Sequence, residues 1–138
     1  MIPCSSIKFS RDQIGYDLRR NESISEDYNK MFSTNMYAKE AMKIIEEHDK
    51  SKPMFLYLAF MALHTPFVGV PPKKFRLMIS NKARQDTFEE STHDLRDMVL
   101  ASVDQAIDKV IVKLKETGIY NNSVILVTTD NGGGERFV

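Results

Sequence analysis

Apolar positions change their period along the chain, and each change marks an element. Residues 1 to 33 are polar with little periodicity and read as loop with room for a short element. From Thr34 the pattern turns helical. Tyr37, Ala41, Ile44 and Ile45 recur at three- and four-residue spacing, Thr34 is placed to cap the start, and Asp49-Lys50-Ser51-Lys52-Pro53 closes the helix near His48. Met54 to Phe60 (MFLYLAF) is then apolar without alternation, which with its flanking breaks predicts a strand buried on both faces, as in a parallel sheet.

Gly69 to Pro72 and the polar, basic stretch to about Arg84, with Lys73, Lys74 and Arg76, predict an exposed, solvated loop. The clearest helix follows, with Leu95, Met98, Val99, Val103, Ala106, Ile107, Val110, Ile111 and Leu114 on one stripe. Thr87 and Glu90 form a capping box for it, or Ser91 or Thr92 caps a later start; Gly118 is placed to end it in a left-handed conformation. Ser123 to Thr129 (SVILVTT) is β-branched and apolar and predicts a second buried strand, ended by Asp130-Asn131-Gly132-Gly133-Gly134. Two buried strands joined through a helix are most economically a right-handed βαβ unit, so the fold class is α/β with a parallel sheet core. The chain divides into an irregular segment, residues 1–33, and an α/β region, residues 34–138.

Composition narrows the function less than the pattern does. The 138 residues carry 19 basic and 19 acidic side chains, so no global field argues for nucleic acid or an anionic membrane. No stretch has the length of a transmembrane helix, and Met1-Ile2-Pro3-Cys4 shows no basic region followed by an apolar run, so no signal peptide is expected from this stretch. The single cysteine, Cys4, fits either a reduced compartment or an extracellular one with its partner elsewhere. Asn21-Glu22-Ser23 and Asn121-Asn122-Ser123 are sequons, making Asn21 and Asn121 candidate glycosylation acceptors. The methionines and aromatics around the first helix and strand read as core packing, His48 as a helix-end residue and His93 as an early-turn residue of the long helix. Nothing fixes the oligomeric state.

Candidate chemistry gathers at the ends of the two expected strands. In open α/β sheets, sites form outside the carboxyl ends of the strands. His64 lies just past the first and Asp130-Asn131 immediately after the second, so parallel strands would bring the three polar groups to one rim. A carboxylate and an amide carbonyl are hard oxygen donors suited to Ca²⁺ or Mg²⁺, and the glycines after them allow close backbone approach. His64 could donate a hydrogen bond or proton to an anion beside the metal. Each half has a plainer reading: Asp-Asn-Gly-Gly is also an ordinary strand-ending turn, and His64 could simply fix the His-Thr-Pro turn.

At these residues the chain resembles the sulfatase family. Lys52 to Pro66 (KPMFLYLAFMALHTP) is similar to the family's apolar strand followed by histidine and proline, and Ser123 to Gly133 (SVILVTTDNGG) to the strand that ends in its metal-binding Asp-Asn-Gly-Gly. Ser102-Val103-Asp104-Gln105-Ala106 and the Gly118 to Ser123 turn also look like the family. Gly15 to Arg19 and Met31 to Asn35 resemble its arylsulfatase B-like branch in particular.

The resemblance implies a fragment of an alkaline-phosphatase-like α/β sandwich that hydrolyses sulfate esters, with a formylglycine nucleophile and Ca²⁺. It places Asp130 and Asn131 among the calcium ligands and His64 on the sulfate or the leaving group, as a substrate-binding and catalytic residue. It also implies a sulfated small molecule or glycosaminoglycan as substrate and a lysosomal or secreted location for the full-length protein. Cys4-Ser5-Ser6-Ile7-Lys8 departs from the family's Cys-x-Pro-x-Arg, so Cys4 is not the nucleophile and looks more like a disulfide cysteine. Glu135 to Val138 departs from the family pattern as well. The expectation is a segment that holds part of an active site and is inactive alone. The competing readings are an alkaline-phosphatase-like phosphodiesterase or phosphonate hydrolase, a non-catalytic pseudoenzyme fragment, and an unrelated α/β domain with ordinary turns at 64 and 130.

Overall fold

The computed structural model describes residues 6–10, 13–16, 18–25, 27–28, 31–64 and 92–131. Cys4, the expected loop from Gly69 to about Arg84, the Thr87 and Glu90 cap and the glycines at 132–134 lie outside the described residues.

Where the sequence reads as loop, two short hairpins form. β1 (Ser6–Ser10) pairs antiparallel with β2 (Gln13–Tyr16), with an irregularity between Lys8 and Ser10. β3 (Arg19–Arg20) pairs antiparallel with β4 (Ser23–Ile24) around the two-residue turn Asn21-Glu22. Ser25 N–H donates to the Leu18 carbonyl (2.9 Å) and extends the second ladder. Asn21 takes φ +55°, a left-handed conformation that asparagine tolerates better than most residues.

The core is the contact between α1 (Ser33–Glu47) and α2 (Thr92–Glu116). Thr34, Ala38, Ala41 and Ile45 form the buried stripe of α1; Met98, Ser102, Ala106 and Leu114 are buried along α2. The spacings are those of one helical face, and the small residues leave room for the helices to approach closely. Burying Ile45 completely contributes about 1.5–3 kcal/mol. The Ser102 hydroxyl sits inside this contact without cost in unpaired polarity, because it donates to the Val99 carbonyl at 2.6 Å.

Three details differ from the sequence expectation. Thr34 does not cap α1: Phe32 is the N-cap, extended and without a side-chain hydrogen bond, while Thr34 is inside the first turn. Its buried hydroxyl has no partner among the described residues. Ile44 is exposed rather than packed, since it neighbours Ile45 and a helix turns about 100° per residue, so one of the two must leave the seam. Val103, Ile107, Val110 and Ile111 are only half-buried. The C-terminal ends of the helices follow expectation. His48 caps the C-terminus of α1. α2 is described from Thr92 and includes His93, and the residues that would cap its start lie outside the described ones. Gly118, at φ +76°, ends α2 in a Schellman motif: Ile119 N–H donates to the Leu114 carbonyl and Gly118 N–H to the Lys115 carbonyl, both at 3.0 Å.

The larger difference concerns the two strands. Neither 54–60 nor 123–129 joins a ladder among the described residues, and neither is buried on both faces. Along 53–61 exposed and half-buried residues alternate, with Phe55 92% exposed, as in a chain covered on one side. Along 124–130 every residue is exposed, Val124 at 99% and Leu126 at 85%. A helix bonds its own backbone, but a buried strand requires neighbouring strands, and the described residues supply none. No described helix is long and apolar enough to cross a membrane.

Candidate active site

His64 closes a tight turn. Its N–H donates to the Met61 carbonyl at 3.2 Å, and Leu63, in the third position of that turn, takes φ +72°. Glycine or asparagine usually fills such a position, because a Cβ there costs about 1–2 kcal/mol. The histidine is therefore presented from a backbone held against its own preference, and strain of this kind concentrates at functional sites. The His64 side chain is exposed and makes no hydrogen bond among the described residues.

Asp130 and Asn131 stand together at the end of 123–129. The Thr129 hydroxyl donates to the Asn131 carbonyl at 2.6 Å, tightening the turn that carries both side chains. Both are exposed, and Asp130 has no ion-pair partner among the described residues. Their oxygens are of the kind that Ca²⁺ takes, but two residues cannot complete a shell of about 6–8 oxygens. Among the described residues no three His, Cys, Asp or Glu side chains are grouped to hold a metal, and no hydrogen bond or ion pair joins His64 to Asp130 or Asn131.

The densest polar cluster among the described residues lies elsewhere and is not visible in the sequence pattern. Arg20 on β3 grips Glu40 on α1 through two bonds, Nε to Oε1 (3.1 Å) and Nη2 to Oε2 (2.8 Å), and reaches Asp27 through Nη1 (2.7 Å). The Tyr28 hydroxyl donates to the same Glu40 Oε2 at 2.5 Å, and the Arg20 and Lys39 cations lie 5.9 and 5.4 Å from the Tyr28 ring centre. Burial pushes the Glu40 carboxyl up, but the Tyr28 hydroxyl and then the Arg20 guanidinium outweigh it and hold Glu40 below the usual carboxylate range. The bond to Glu40, reinforced by burial, raises the Tyr28 phenol. With its charges paired, the cluster clamps the β3–β4 hairpin to α1 and leaves no free group for chemistry. No sequence signal marks it, because Glu40 on the first helix reaches Arg20 only through tertiary structure.

A smaller bridge joins the two helices. The Lys113 ammonium lies 2.9 Å from Glu116 and 3.7 Å from Glu46 and is raised above the ordinary lysine range, chiefly by Glu116. A shallow groove of about 370 Å³ beside it is lined by Met42, Asp108, Lys109, Val112, Lys113 and Glu116, and none of the three site residues lines it.

Known proteins resemble this chain over most of its length. The family model described as Sulfatase matches residues 6–135. Arylsulfatase J of Mus musculus is 37% identical over 123 residues, covering 86% of this chain and 19% of that protein. An uncharacterized sulfatase of Escherichia coli is 28% identical over 105 residues, 75% of this chain and 17% of the relative. Human N-acetylglucosamine-6-sulfatase is 26% identical over 132 residues, 78% of this chain and 24% of the relative. The chain thus spans about a fifth of the length of these relatives. No solved structure matches it.

Proposed function

The chain belongs to the sulfatase family, and from that membership we propose that the whole protein is a sulfuric ester hydrolase of the arylsulfatase type. One observation carries the proposal: the family match runs through both halves of the candidate site, His64 and Asp130-Asn131. The family implies an alkaline-phosphatase-like α/β fold, and in our reading 54–60 and 123–129 become parallel strands of its sheet. His64 and Asp130-Asn131 then share one rim of that sheet.

In this reading the Asp130 carboxylate and the Asn131 amide oxygen are two ligands of a Ca²⁺ ion. The ion, when bound, offsets negative charge on the sulfate ester. The turn bonded through Thr129 keeps the two ligands oriented together. The His64 imidazole donates to a sulfate oxygen or protonates the departing alcohol, and the turn closed by its N–H restricts where the ring can go. A sulfated sugar of the glycosaminoglycan type is the proposed substrate class, suggested by the relative whose name specifies N-acetylglucosamine. The secretory route, ending in the lysosome or outside the cell, is the proposed location, with the two sequons in support.

The test is hydrolysis of a chromogenic aryl sulfate by the full-length protein with Ca²⁺. Turnover should be lost on chelation and on Asp130→Ala, and kcat should fall by roughly 10²–10⁴ on His64→Ala. The 138-residue chain alone, with two metal-ligand residues and no Cys-x-Pro-x-Arg, should give none. Hydrolysis of a phosphodiester in place of the sulfate ester would replace this reading with the phosphoryl-transfer one.

A further inference from the structure

We infer that Asn21 carries an N-linked glycan, at the tip of a hairpin whose base is clamped to the helical core. The inference rests on the secretory route proposed above. Asn21 and Glu22 form the whole turn between Arg20 and Ser23, and Asn21, Glu22 and Ser23 are all exposed. Neither the Asn21 amide nor the Ser23 hydroxyl makes a hydrogen bond among the described residues, so both sequon groups are free. The neighbours on either side are occupied: Arg19 Nη1 bonds the Glu22 carbonyl at 3.0 Å, and Arg20 is held by Glu40 and Asp27.

Left-handed backbone alone accounts for an asparagine at position 21. It does not account for Ser23, whose backbone pairs with Arg20 whatever its side chain and whose hydroxyl contributes nothing to the fold. The sequon requires both. The other sequon is built differently: Asn121 is exposed on a 3₁₀ turn (Tyr120–Asn122), but its Ser123 hydroxyl is engaged with the Ile119 carbonyl at 2.9 Å.

The co-reactant is a lipid diphosphate-linked oligosaccharide. The Asn21 amide nitrogen forms a bond to C1 of the first sugar, and the C1–O bond to the diphosphate breaks. The lipid diphosphate leaves with that electron pair, and the nitrogen gives up one proton to the transferase.

Glycopeptide mapping of the natural full-length protein tests the inference. Trypsin releases residues 21–30 (NESISEDYNK) as one peptide. We expect it to carry hexosamine-containing glycan removable by peptide N-glycosidase, to lose it on Ser23→Ala and to keep it on Ser23→Thr. Both substitutions spare the left-handed residue, so misfolding does not confound them. An unmodified peptide 21–30 beside a glycosylated Asn121 overturns the inference and leaves the secretory location standing. Two unmodified sequons overturn both.

Discussion

The helical pair and the two apolar segments differ in how much they need from the rest of a molecule. α1 and α2 bond their own backbones, bury one stripe each against the other and end in local motifs, His48 at one and the Gly118 turn at the other. Segments 54–60 and 123–129 are at least as apolar, yet they leave Phe55, Val124 and Leu126 almost wholly exposed. Hydrophobicity is therefore not what separates order from exposure here. A helix closes its hydrogen bonds within four residues, whereas a strand closes them on another strand. The candidate site hangs on the segments that depend on neighbours, which is why it is the incomplete part.

Truncation should show this contrast most strongly. Ile45→Ala removes a side chain with no exposed surface from the α1–α2 seam and should cost about 2–5 kcal/mol. Val124→Ala removes a similarly apolar side chain that touches almost nothing and should stay within about 0.5 kcal/mol. Urea midpoints of the two variants measure the difference. Equal losses would mean that 123–129 is packed in solution, and the distinction between the regions would fall.

What could be read from the sequence follows the same division. The 3.6-residue period found both helices, and Gly118 was readable as a terminator because only one residue type fills that position cheaply. The extent of the seam was less legible: Ile44 and Ile45 look equivalent in a list of apolar positions, and only the partner helix decides between them. The apolar runs at 54–60 and 123–129 were visible, but the burial they predicted is not observed, because the described residues supply no neighbouring strand to cover them. Of the candidate site, His64 and Asp130-Asn131 were singled out by residue type and position. The Arg20–Glu40 clamp was not, because no periodicity links residues on a hairpin and a helix. The left-handed backbone at Leu63 was equally hidden, since leucine carries no turn signal.

Acid should weaken the clamp by an intermediate amount. Glu40 titrates below the usual carboxylate range in the folded chain and within it when unfolded. Its contribution is therefore fully present above the ordinary carboxylate pKa and is lost as pH falls through that range to the depressed folded value. Tyr28 works in the opposite sense: raised in the fold, it contributes below the ordinary tyrosine range and is lost as pH rises through it. Thermal melts from neutral to acid pH should fall more steeply for the natural chain than for Glu40→Gln, which keeps an acceptor but no charge. Parallel curves would mean that the hairpin clamp adds nothing to pH dependence and that the helical seam holds this region alone.

The smallest effects compare one left-handed residue from each region. At Gly118 an added Cβ would meet no atom within 4 Å, so Gly118→Ala should cost only the conformational penalty, about 1–2 kcal/mol at the end of α2. At Leu63 the same penalty is already present, and Leu63→Gly removes it. The gain, about 1–2 kcal/mol, is offset by the roughly 0.5–1 kcal/mol that glycine loses in ordering, leaving a net improvement between about 0 and 1.5 kcal/mol. Amide exchange at His64 reads it directly, because that N–H closes the turn onto the Met61 carbonyl. Slower exchange in the variant is expected. Faster exchange would mean that the half-exposed leucine side chain holds the turn more firmly than its backbone strains it, and that the histidine is positioned by packing instead of by the turn.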